Sequence, residues 1–185
     1  MQSPACREIL LHQNKKMIVA ETKRLTLSKF TLADAPFLLQ LVNTPHWLKY
    51  IGDRNIKTIE AAKNYITNTH LKSYKTNKFG FYILKLKENN TPIGTCGLLK
   101  RDTLEHVDIG FAMLPEHEGK GYGSEASLTV LKLAKETFEL KKVVAITLPT
   151  NTNSIKLLEK LGLSYQKRVK PFDDDEELLL FAKTL

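Results

Sequence analysis

Between Val107 and Leu148 the chain spells a strand, a glycine loop, a helix and a second strand, and this order leaves few folds open. The first strand is the apolar run His106 to Leu114, which stops at Pro115. The helix runs from about Tyr122 to Phe138, with Ala126, Val130, Leu131, Leu133, Ala134 and Phe138 at helical spacing. Val143 to Leu148 (V-V-A-I-T-L) is apolar on both sides, as a central parallel strand must be. Two parallel strands joined by a helix make a βαβ unit with a right-handed crossover. The loop carries Gly119, Gly121 and Gly123, which fold tightly and leave no Cβ in the way of a ligand. The first amides of the helix have no intrahelical acceptor and point into that loop, where the helix dipole adds positive potential. The result is a site for phosphate or another anion.

The rest of the chain fits one mixed α/β domain. Arg24 to Phe30 reads as a strand, and Thr31 caps a helix with Asp34 three residues on and Phe37, Leu38 and Leu41 on its apolar stripe. Pro45 ends that helix, and His46 to Lys57 reads as a loop or short helical turn. Thr58 caps a second helix through about Tyr74, with Ala61, Ala62, Tyr65, Ile66 and Leu71 on its buried side. Phe79 to Leu86 and Pro92 to Lys100 form a hairpin around Glu88-Asn89-Asn90-Thr91. After the βαβ unit, Thr152 to Leu161 is a helix stopped by Gly162. Leu163 to Phe172 and Glu176 to Lys183 then pair around Asp173-Asp174-Asp175, an acid triplet that reads as a solvated turn rather than a metal site. Residues 1–17 show no sustained period and are expected to be a flexible extension, so the domain is 18–185.

Composition narrows the classes. A chain of 185 residues that is 42% hydrophobic and 26% charged supports one ordinary core. No apolar run approaches the roughly 20 residues of a membrane span, and the N-terminus lacks the layout of a secretory signal. Two cysteines, Cys6 and Cys96, make a disulfide framework unexpected and a cytoplasmic location expected, with Cys96 read as a small buried hydrophobe. The net charge of +8 invites a nucleic-acid reading, but Lys and Arg are spread along the chain without an RNA-module signature. A solvated basic surface is the simpler reading, although a small anion or a ribosomal partner could exploit it.

Three phosphate motifs compete for the loop. The Walker spacing G-x-x-x-x-G-K-[ST] is absent. Gly121-Tyr122-Gly123-Ser124-Glu125-Ala126 fits G-x-G-x-x-A, but the next strand ends Thr147-Leu148-Pro149-Thr150, without the acid a dinucleotide ribose requires. The third is a whole arrangement. P-E-x-x-G-x-G-Y-G-S-E-A, a helix, a buried strand, then N-x-x-S-x-x-x-L-E-K-x-G resembles the GNAT superfamily of acyl-CoA-dependent N-acetyltransferases, especially its RimJ/RimL-like branch, which acetylates protein N-termini. Glu21 to Leu25, Pro92-Ile93-Gly94 and Leu158 to Gly162 add to the likeness, which covers residues 18 to 183.

The resemblance implies a mixed, mostly antiparallel sheet with helices on both faces. It also implies acetyl-CoA as cosubstrate, with no metal. The backbone of Phe111, Ala112 and Met113 would hold the pantetheine arm, and Gly119, Lys120, Gly121, Tyr122, Gly123 and Ser124 would cradle the pyrophosphate, with Asn151 also facing the ligand. The two parallel strands would splay to leave a cleft. One departure stands out: the loop's first position, usually Gln or Arg, is Glu118 here. An acid beside a pyrophosphate should face solvent or pair with Lys120.

Acetyl transfer needs a base for the amine, a donor for the oxyanion and an acid for the thiolate. Asp108 is the candidate base, set against a strand-edge carboxylate paired with Lys; Glu105 and His106 are alternatives. The Tyr acid of many family members falls at Leu158, so Ser154 of N-x-x-S is the candidate acid, set against a helix-capping role. Trp47 and Tyr50 are candidate walls of the acceptor pocket, set against a purely core role. No cysteine sits where a nucleophile is needed, so transfer to an amine substrate is expected to be direct, whether that amine is a peptide N-terminus or a small molecule. The rival classes are a non-catalytic acyl-CoA-binding protein of the same fold and a basic RNA- or ribosome-binding module. Monomer and homodimer both remain open.

Overall fold

The computed structural model describes residues 17–173 and 176–185; residues 1–16 of the expected N-terminal extension, including Cys6, and two of the three acids of the triplet lie outside them. Eight strands form a single sheet in the order β1-β2-β3-β4-β5-β6-β8-β7. They are β1 (Ile18–Glu21), β2 (Leu25–Lys29), β3 (Phe81–Leu86), β4 (Pro92–Leu99), β5 (Val107–Met113), β6 (Lys142–Thr147), β7 (Ser164–Val169) and β8 (Leu178–Thr184). Every neighbouring pair is antiparallel except β5 and β6, the parallel pair that the βαβ reading requires. The last strand, β8, lies between β6 and β7, so the final hairpin folds back into the sheet.

Helices cover both faces. On one lie α1 (Ala35–Val42), the short α2 (Pro45–Tyr50) and a long helical stretch of α3 (Ile59–Tyr65), a π-helical turn (Ile66–Leu71) and α4 (Lys72–Thr76). They enclose Phe30, Leu38, Leu41, Ile66 and Ile83, each at most 1% exposed. On the other face α5 (Tyr122–Glu136) and α6 (Thr152–Lys160) cover a larger cluster that includes Leu25, Leu27, Ile93, Val130 and Val143. Each such side chain contributes roughly 1.5–3 kcal/mol on burial. Cys96 is fully buried beside Ser127, and burial pushes its thiol up to about 12.

One edge strand goes beyond the sequence reading, and two local expectations are corrected. Ile18–Glu21, too short to show a period, pairs with β2 as an edge strand. Pro45 ends one helix by starting the next: Thr44 caps α2 by accepting from the Trp47 amide, and Pro at the first helical position lacks only an N–H that would be unpaired anyway. The expected uniform helix from Thr58 to Tyr74 is widened at Ile66–Leu71, where the Thr67 and Thr69 hydroxyls bond back to the carbonyls of Lys63 and Tyr65. Within this turn Leu71 packs partly buried against the cluster as expected, and His70 is buried as well, stacked 4.4 Å from the Phe30 ring.

Candidate active site at the strand fork

The parallel pair is short. β5 and β6 are in register only at Val107–Val143 and Asp108–Val144, while β5 stays paired to β4 as far as Met113 and β6 to β8 as far as Thr147. Beyond Asp108 and Val144 the two strands therefore part. The inner edge of β5 from Ile109 to Met113 keeps main-chain groups with no strand on that side, and buried main-chain groups require partners. Side chains alternate along a strand, and Ala112 packs with the α1–α3 cluster while Ile109 packs with α5. Asp108, Gly110 and Ala112 therefore face the side of α1 to α3.

Asp108 sits at the vertex and is 3% exposed. Its Oδ2 accepts from Arg101 Nε at 2.7 Å, and the Ile146 amide on the diverging strand also bonds to the carboxyl. Burial, the strongest influence, pushes its pKa up to about 6, with Arg101 and the Ile146 amide pulling against it. Arg101 in turn lies over the Phe172 ring, in the loop between β7 and β8, at 5.4 Å. The partner of Asp108 is thus Arg101 rather than a lysine. The Glu105 side chain is 88% exposed and lies 3.6 Å from His106, which is itself 31% exposed.

At the far end of β5 the glycine loop turns into α5. Gly119 and Gly121 hold φ of 71° and 80°, the left-handed region where a Cβ is strained. Gly121 is the N-cap of α5 and has no side chain to offer its first amides, those of Tyr122, Gly123 and Ser124. The loop is braced from β1 and β2. Arg24 donates Nη1 to the Lys120 carbonyl at 2.9 Å and Nε to Glu125 at 2.7 Å, and its guanidinium lies 4.4 Å over the Tyr122 ring. Burial disfavours charge on Glu125, but bonds from Thr22 and from the Arg24 amide and guanidinium outweigh it and hold its pKa below the usual value. Arg24→Ala is expected to weaken binding of a phosphate-bearing ligand at this loop about tenfold, as measured by calorimetry, because the loop loses its brace and a cation.

Glu118, expected to face solvent or pair with Lys120, is 31% exposed and pairs with His46 instead of Lys120. Both its oxygens bond His46 Nδ1, at 2.8 and 2.9 Å. Asn151, not Ser154, caps α6: its Oδ1 accepts from the Ser154 amide at 3.1 Å. Leu158, at the position of the family's tyrosine, is buried in the core. Trp47 is 9% exposed within the α1–α3 cluster, while Tyr50 is half-buried 5.8 Å from the His46 ring. Sequence reasoning missed the roles of Arg24, Arg101, His46 and His70. Arg24 reaches Glu125 from the β1–β2 turn and Arg101 reaches Asp108 from the stretch before β5, and no periodicity connects those positions. Burial holds His70 neutral, with its pKa down to about 4.

A strand fork opens here beside an uncapped helix N-terminus, leaving a free strand edge and unpaired amides along one path. Residues 24–164 match the acetyltransferase (GNAT) domain, and the chain belongs to that family. It is 34% identical over 147 residues to the uncharacterized N-acetyltransferase p20 of Bacillus licheniformis, covering 79% of this chain and 81% of that one. Among solved structures, an acetyltransferase of Agrobacterium tumefaciens superposes with a TM-score of 0.77 at 23% identity, over 90% of this chain and 94% of that one. A ribosomal-protein-alanine acetyltransferase of Vibrio fischeri does so at 0.76 and 20%, over 89% and 95%. At these identities the two structures speak to the fold alone. No helix among the described residues is long and apolar enough to cross a membrane.

Proposed function

We propose that the protein transfers the acetyl group of acetyl-CoA to a primary amine, a protein N-terminus or a small-molecule amine, by direct attack in a ternary complex. The observation that carries this reading is the fork. One continuous path joins a vertex carboxyl, a free strand edge and an uncapped helix N-terminus, and its parts suit an amine, a pantetheine arm and a pyrophosphate in that order. Bound acetyl-CoA supplies the activated acyl carbon and a thiolate leaving group.

The chain's own residues do the rest. The main chain of Phe111, Ala112 and Met113 pairs with the extended arm as an added strand, and one of its amides donates to the developing oxyanion. The amides of Gly119 to Ser124 take the phosphates. Asp108, with a pKa near 6, accepts the amine proton directly or through water. Ser154, whose amide is held by Asn151, returns a proton to the departing sulfur. Cys96 is sealed in the core with its thiol pushed up to about 12, which agrees with direct transfer. Ser154→Ala is expected to lower kcat about tenfold or more without changing the dissociation constant for acetyl-CoA; an unchanged kcat would remove it from the mechanism.

The test is a thermal shift with acetyl-CoA, CoA, NAD and ATP, followed by thiol release with peptides of varied N-terminus, polyamines and aminoglycosides. A rise with acetyl-CoA and CoA alone, and turnover with one amine class, is the expected result. A rise without turnover on any amine would make the protein an acyl-CoA-binding module. No rise with either thioester or thiol would overturn the reading.

A further inference from the structure

Helix α2 carries His46, and His46 reaches Glu118 at the mouth of the phosphate loop, 72 positions away in sequence. The carboxylate oxygens lie 2.8 and 2.9 Å from the same ring nitrogen, and the two side chains are 49% and 31% exposed. Glu118 puts a negative charge at the start of a loop whose glycines and helix N-terminus otherwise favour anions. An unpaired acid there opposes a pyrophosphate; a protonated imidazole bonded to it cancels that opposition. The same bond ties the loop to the helix bearing Trp47 and Tyr50, on the face where Asp108 and Gly110 point.

We propose that His46 is a positioning residue for the CoA phosphates: it neutralises Glu118 and latches helix α2 to the phosphate loop, so that cofactor binding also sets the acceptor-side helix. The inference rests on the acetyl-CoA reading given above. Several other charged or titratable groups lie on the elements that meet here. Lys49 and Tyr50 share the helix, Glu116, His117 and Lys120 belong to the loop, and Arg24 reaches the loop while held by Glu125. These stay the same when only the His46–Glu118 pair is changed, so the comparison among variants cancels them.

The pair has a defined sign: an imidazolium bonded to the carboxylate is neutral, whereas the carboxylate without His46 leaves one negative charge beside the phosphates.

The experiment is calorimetric titration of CoA at pH 6 into the wild type, His46→Ala, Glu118→Gln and the double variant. Fluorescence of Trp47, the only tryptophan in the chain, follows helix α2 in parallel. Single His46→Ala is expected to weaken CoA about five- to tenfold at pH 6. Adding Glu118→Gln is expected to restore most of that loss, which a purely structural contact would not allow. CoA is expected to shift the Trp47 emission in the wild type but much less in His46→Ala. A double variant as weak as His46→Ala, or a Trp47 shift as large in His46→Ala as in the wild type, overturns the proposal while CoA binding itself stands. A wild type that binds no CoA overturns the acetyl-CoA reading as well.

Discussion

Asp108→Asn is expected to make the protein more stable and much less active. The carboxyl is buried with a pKa near 6, against 3.8 for the unperturbed group. Between those values the folded state holds more protons than the unfolded one, so stability falls as pH climbs through that window and the penalty persists above it. The difference corresponds to ~3 kcal/mol. Asparagine keeps the shape and removes the charge, but it leaves Arg101 without its carboxylate. Arg101 is 23% exposed and already lies over Phe172, so water relieves part of that loss. A net gain on the order of 2 kcal/mol is expected at pH 8, raising the melting temperature by about 4–8 °C. The gain should shrink toward zero below about pH 4.5. Turnover should fall about a hundredfold or more if Asp108 takes the amine proton. Melting curves across pH, alongside initial rates, read both. A variant that is less stable at pH 8 would show that the bond to Arg101 outweighs the cost of burying the charge.

Gly97→Ala is expected to be the most damaging single-methyl change in the sheet. Gly97 pairs with Phe81 on one side and Gly110 on the other. A Cβ there would run into the Gly80 carbonyl and the Phe81 Cα, main-chain atoms of the neighbouring strand that have no rotamer to move to. Relief would require β3 and β4 to separate, disturbing the bond from the Leu98 amide to the Gly80 carbonyl at 3.1 Å. The loss should be about 3 kcal/mol or more, seen as poor accumulation of folded protein or a melting temperature lower by about 6–12 °C. Gly110→Ala makes the internal control. Its Cβ would meet only the tip of the Phe81 ring, which can swing aside, so the expected cost is about 1 kcal/mol.

Which parts of this structure could be read from the sequence follows from the range of the forces involved. The βαβ unit was legible because its signals are local: an apolar run, three glycines, a helical stripe and another apolar run, all within Val107 to Leu148. The family motifs were legible for the same reason. Edge strand β1 was not, because four residues at a sheet margin need no strict alternation. The place of β8 beside β6 was not, because pairing partners in a sheet are chosen by tertiary fit and not by chain order. In the site, Asp108 and Ser154 could be nominated from their places in strand and helix. Their partners could not be anticipated in the same way: Arg101 lies outside any strand or helix and reaches Asp108 from the stretch between β4 and β5. His46 was hidden by the reading of Pro45 as a terminator. His70 was hidden because a buried histidine adds nothing to an apolar stripe, and its place depends on a widened turn that propensities do not report.

The fork also bears on how such proteins diverge. Nearly everything it offers an extended ligand is main chain: a strand edge, the amides of a loop and the start of a helix. Backbone recognition leaves the side chains above it without a fixed assignment. Selection can then rewrite the α1–α2 surface, the β7–β8 loop or even the residue at position 118 while the same groove remains. On the proposed reading, such changes alter the acceptor while the groove for the acyl donor stays in place.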